Sequence, residues 1–75
     1  MNAEDRKKIQ AMIEALEGPR TELEELQSDL QDRASNCEEK FPSKAEKLNE
    51  EADSIQEAMD QIDEAITSLE SAMEG

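Results

Sequence analysis

The chain has 75 residues, of which 21 are acidic and 8 basic, giving a formal net charge of −13. With Phe41 as its one aromatic residue and no Trp, Tyr or His, it has material for a single small domain with a thin core. The missing histidine excludes the usual general base, imidazole metal ligation and any Ser-His or Cys-His pairing.

The first half is phased in heptads. Ile9, Leu16, Leu23, Leu30 and Cys37 lie seven apart, with Ile13, Arg20, Gln27, Ala34 and Phe41 as the companion row. This spacing predicts a helix over about 3–40 with one stripe facing a partner helix. Met12 and Leu26 widen that stripe on one side. Gly18-Pro19 interrupts the pattern, because proline lacks an amide donor and clashes with the carbonyl four residues back. The phase survives from Leu16 to Leu23, so a kink at 18–20 is expected rather than a free hinge. Thr21-Glu22-Leu23-Glu24 has the form of a capping box just after it.

The sequence then turns. Pro42 disfavours helical geometry at Phe41, which ends the first helix near Lys40 and leaves a turn at about 41–43. Ser43-Lys44-Ala45-Glu46 reads as a capping box opening a second helix over about 43–74.

The second helix carries the cleaner pattern. Ala45, Leu48, Ala52, Ile55, Met59, Ile62, Ile66, Leu69 and Met73 alternate by three and four without a slip. Ala58, Ala65 and Ala72 add a column of small residues that permits close helix approach or a wider buried face, as in a bundle. The expected fold is all-α: an antiparallel, coiled-coil-like helical hairpin, kinked in its first arm. The thin core favours self-association, so two hairpins are expected to pair into a four-helix bundle. The seam residues are Ile9, Ile13, Leu16, Leu23 and Leu30, then Leu48, Ile55, Met59, Ile62, Ile66, Leu69 and Met73.

Charge is unevenly placed. Residues 1–37 hold five basic and nine acidic residues, whereas Leu48 to the end holds nine acids and no base. Glu50, Asp53, Glu57, Asp60, Asp63, Glu64 and Glu70 fall off the seam and form the candidate partner-binding face. Neighbours three or four apart on a helix lie about 5–6 Å from each other and repel. Nucleic acid and anionic membranes would be repelled as well, and the natural complement is a protein with a basic surface. One hairpin spreads 13 net charges over about 50 Å, roughly one per 4 Å of axis, against one per about 1.7 Å in duplex DNA. A side-by-side dimer approaches duplex density at about one per 2 Å.

No cofactor is expected. The acid-rich run from Asp53 to Glu64 lacks the glycine turn and ligand spacing of a calcium loop. No segment is apolar for long enough to span a membrane, and the N-terminus lacks a signal-peptide core. A lone Cys37 on the apolar stripe suits a reducing compartment and reads first as a small hydrophobe. Cytoplasmic location is therefore the expectation.

Glu38-Glu39-Lys40-Phe41-Pro42, the Ile55 to Ala58 pattern and the run Ile62-Asp63-Glu64-Ala65-Ile66 resemble small acidic helical proteins of bacteriophages and prophages. Proteins of that kind include inhibitors of host defence enzymes, some of them nucleic-acid mimics. The resemblance implies a non-enzymatic inhibitor acting in the host cytoplasm, and it assigns no individual functional residue. The competing expectation is a structural oligomerisation element whose acidic exterior only confers solubility.

Overall fold

Asn2 starts the first helix. Its backbone is extended, its side-chain oxygen accepts from the Asp5 amide at 2.8 Å, and its carbonyl accepts from the Arg6 amide at 3.1 Å. This satisfies an amide that would otherwise lack a partner, and Glu4 and Asp5 in the first turn suit the positive end of the helix dipole. In the computed structural model, which describes residues 1–74, α1 spans Ala3–Cys37 and α2 spans Pro42–Glu74. The two pack as a hairpin, with Cα extents of 58 × 16 × 10 Å, and helices are the only regular elements among the described residues.

Gly18-Pro19 lies inside α1, which is helical on both sides of it. Thr21 opens no new helix there. Its hydroxyl donates to the Glu17 carbonyl one turn back at 3.1 Å, which keeps it inside the existing helix.

Both helix ends at the turn differ from the sequence expectation. α1 stops at Cys37, three residues before Lys40, and residues 38–40 form the turn. The Phe41 amide donates to the Cys37 carbonyl at 2.7 Å, closing it. Pro42, not Ser43, is the first residue of α2, and the Phe41 carbonyl accepts from the Ala45 amide at 3.0 Å. Proline suits this first helical position, since its backbone angle is already helical and its missing amide would be unpaired anyway. Ser43 is thereby placed within the helix rather than at its cap.

The same early stop removes Phe41 from the seam. Its place in the companion row requires helix to continue past Cys37, and it does not. Phe41 is 59% exposed at the hairpin tip.

The core is narrow, with small residues concentrated near the turn. Leu30, Ala34, Ala45, Leu48 and Ala52 form one buried cluster near the turn, with Cys37 and Ile55 packed against it. Ile13 and Met59 are buried further along. Alanines at 34, 45 and 52 let the two backbones approach closely at that end.

Candidate functional site

The seam places the outer surface, so it comes first. Ile13, Leu30, Leu48 and Met59 are buried, whereas Ile9, Leu16, Leu23, Ile55, Ile62, Ile66, Leu69 and Met73 are only half-buried. Two helices cover a stripe of this width from one side only. Arg20 and Gln27 occupy seam positions on α1 and are solved by polar contacts with α2. Arg20 donates to Asp63 from Nε at 2.6 Å and from Nη2 at 3.1 Å. The Gln27 amide donates to the Ala52 carbonyl at 3.3 Å and to Gln56 Oε1 at 2.8 Å.

Six of the seven candidate acidic residues lie exposed along α2: Glu50, Asp53, Glu57, Asp60, Glu64 and Glu70. Asp60 accepts from the Gln56 side chain one turn earlier at 3.1 Å. Asp63 is placed differently. It is half-buried at the edge of the seam and committed to Arg20, whose bonds hold its carboxyl below the ordinary value against a smaller opposing effect of desolvation. The Arg20 guanidinium is raised correspondingly, mainly by Asp63 and less by Glu24, whose carboxylate accepts from Nη1 at 3.0 Å.

The acidic surface is not confined to α2. A shallow groove on α1 is lined by Glu24, Glu25, Asp29 and Asp32 together with Thr21 and Ser28. The signal for it was available in the sequence, because these acids recur at helical spacing off the seam rows. Asp29 is partly neutralised by Arg33, which donates to it from Nε at 3.1 Å and Nη2 at 2.7 Å.

At the turn end, a second groove is lined by Arg33, Asn36 and Cys37 of α1 and by Lys44 and Leu48 of α2. Cys37 is a free, half-buried thiol whose Sγ lies 3.7 Å from the Ala34 carbonyl. Among the described residues, no group of three His, Cys, Asp or Glu side chains is placed to hold a metal ion, and no helix is long and apolar enough to cross a membrane.

This geometry offers a rod with carboxylates on the backs of both helices and a polar clasp on one flank of the seam. Such a surface attracts cations and basic macromolecular surfaces. No protein-family model, curated protein or solved structure matches the chain.

Proposed function

We propose that this chain is a non-enzymatic binding protein that lays its acidic outer surface against a basic, nucleic-acid-binding surface of a host protein. It is then a phage-type inhibitor that imitates the phosphate backbone, and it acts in the host cytoplasm. The observation that carries the reading is the exposed acid row of α2. From Leu48 to the end there is no basic residue to neutralise it, and Asp53, Asp60 and Glu64 are exposed and make no ion pair among the described residues.

The magnitudes favour a pair of hairpins. Thirteen net charges along 58 Å is about one per 4.5 Å, and two copies side by side reach about one per 2.2 Å, close to the roughly 1.7 Å of duplex DNA. Dimerisation into a four-helix bundle is part of the reading for that reason. A modest kink at Gly18-Pro19 belongs to it as well, letting α1 curve along the partner.

The test is a capture from bacterial lysate, with and without nuclease, followed by elution in salt and by duplex DNA. A DNA-handling enzyme released by both, and lost when Asp53, Asp60 and Glu64 are all changed to Lys, supports the proposal. A partner held through high salt and indifferent to that charge reversal overturns it. It would favour the structural reading, which the half-covered seam supports, in which the acids serve solubility alone.

A further inference from the structure

The two flanks of the hairpin differ in kind. One carries the Arg20–Asp63 and Gln27–Gln56 contacts. The other carries the groove in which Arg33 and Cys37 of α1 face Lys44 and Leu48 of α2. Heptad steps from the lining residues follow this second flank along the rod. From Arg33 they reach Leu26, Pro19 and Met12; from Lys44 they reach Glu51, Ala58, Ala65 and Ala72. Met12 and Leu26 are 55% and 42% exposed, and Ala65 and Ala72 are exposed beside them.

Acid is sparse on the α2 side of this flank, and on the α1 side between Met12 and Arg33 it is confined to Glu22 and to Asp29, which Arg33 holds. Of the ten acidic residues from Glu46 to Glu74, only Glu51 lies on the four heptad rows of α2 that contain Lys44, Ala45, Lys47 and Leu48. The row of Lys47 continues as Ser54, Gln61 and Ser68. A second chain of charge −13 therefore meets less like charge here than on the outer faces of the two helices.

Area points the same way. The chain exposes 5548 Å², whereas a compact monomer of 8.4 kDa exposes about 4,600 Å². The excess is close to the roughly 800 Å² per partner that a stable interface covers.

We infer that a second copy of this chain docks on the Met12–Leu26 and Ala58–Ala65–Ala72 flank, around a two-fold axis parallel to the hairpin, with both tips at the same end. This rests on the pairing proposed above and assigns its surface and register. Such an axis keeps every residue at its own height and sets α1 of each copy against α2 of the other. Height is given by the hairpin itself, where Gln27 is level with Gln56 and Arg20 with Asp63. Within a residue, stepping by heptads puts Leu26 opposite the second copy's Ala58, Pro19 opposite its Ala65 and Met12 opposite its Ala72.

Large meets small at the Leu26–Ala58 and Met12–Ala72 levels, with the compact Pro19–Ala65 pair between them, in both directions at once, as an isologous interface requires. At the next level Arg33, which holds Asp29 of its own chain, stands opposite the second copy's Glu51, the one acid on the α2 side of that face. An axis crossing the hairpin instead would set Met12 and Leu26 against α1 of the other copy and leave alanine facing alanine across a gap.

Sedimentation equilibrium over a concentration series tests this, with circular dichroism to check helicity. The expected result is a wild-type dimer whose dissociation constant rises at least about 100-fold on Ala58→Glu, because a carboxylate is forced into an apolar contact. Ala65→Glu repeats the test at a residue outside the hairpin's own seam, and Ser71→Glu, on an outer row, should change nothing. Arg33→Glu and Glu51→Arg should each weaken pairing by about 10-fold or more, and the double variant should recover it to within about 3-fold. A wild-type monomer at every concentration overturns both the pairing and the surface. A dimer indifferent to both alanine substitutions overturns the surface while pairing stands. Loss of pairing in the alanine variants without recovery in the charge swap overturns the register.

Discussion

Arg20 and Asp63 bind through two hydrogen bonds across the hairpin, joining positions 43 residues apart in sequence. Arg20 stands where the heptad pattern asks for an apolar side chain, and its guanidinium is carried to the edge of the seam, 33% exposed. Two parallel N–H donors meeting one carboxylate have a preferred plane and direction, so the pair selects one relative height for the helices. An apolar pair would tolerate sliding more readily.

The pH dependence follows in sign. Asp63 is held below its ordinary value near 3.8, chiefly by the Arg20 hydrogen bonds. A carboxyl depressed in the folded state stabilises it above the unfolded value and ceases to do so as pH falls through the folded one. Thermal melts of wild type and Asp63→Asn should therefore differ at neutral pH, with wild type the more stable. The gap should close as pH drops below 3.8. A gap that persists in acid would show that the pair does not contribute through its charge.

Core truncation should separate the buried seam from the half-covered one. Leu30 and Met59 are 7% and 2% exposed, so Leu30→Ala and Met59→Ala should each cost about 2–5 kcal/mol in urea unfolding. Met12→Ala, on the exposed flank, should cost far less in the single hairpin. Its effect should appear in the concentration dependence of the melt instead.

Gly18 and Pro19 lie in the interior of α1, where both are poor helix formers. A Cβ built on Gly18 meets nothing within 4 Å, so Gly18→Ala should stabilise by about 0.5–1 kcal/mol. Pro19→Ala restores an amide donor and removes a steric clash, and should add up to about 3 kcal/mol. Both follow from denaturant midpoints at constant slope. A destabilising result for Pro19→Ala would mean that the seam depends on the local geometry proline imposes.

Among the described residues, Asn2 is the one side chain that caps the start of α1. Asn2→Ala should cost about 1 kcal/mol and raise amide exchange over the first turn only. Uniform faster exchange along α1 would contradict a local role.

Periodicity, with Pro42 marking the turn between the two runs, was enough to specify two antiparallel helices and nearly all of their contact residues. Every apolar seam position named from heptad spacing, apart from Phe41, is buried or half-buried, whereas Met12 and Leu26, expected to widen the stripe, and Ala65 and Ala72 of the small-residue column are exposed. Period carries this information because a helix places residues three and four apart on one stripe whatever the rest of the chain does. The Asn2 cap emerged only with the structure, where its side chain accepts from the Asp5 amide. Phe41 was misplaced because extrapolating a heptad assumes the helix continues, and termination at Cys37 is a local backbone event. Ser43 lost its cap position to Pro42 for the same reason.

Charge on the outer face of α2 was legible too, but its partition was not. Asp63 shares its heptad row with the exposed Glu70, and it is the relative height of the two helices that brings Arg20 to Asp63 alone. The contrast between a clasped flank and an acid-poor flank has the same origin. Each helix repeats its own pattern independently, and only packing decides which row of one lies beside which row of the other.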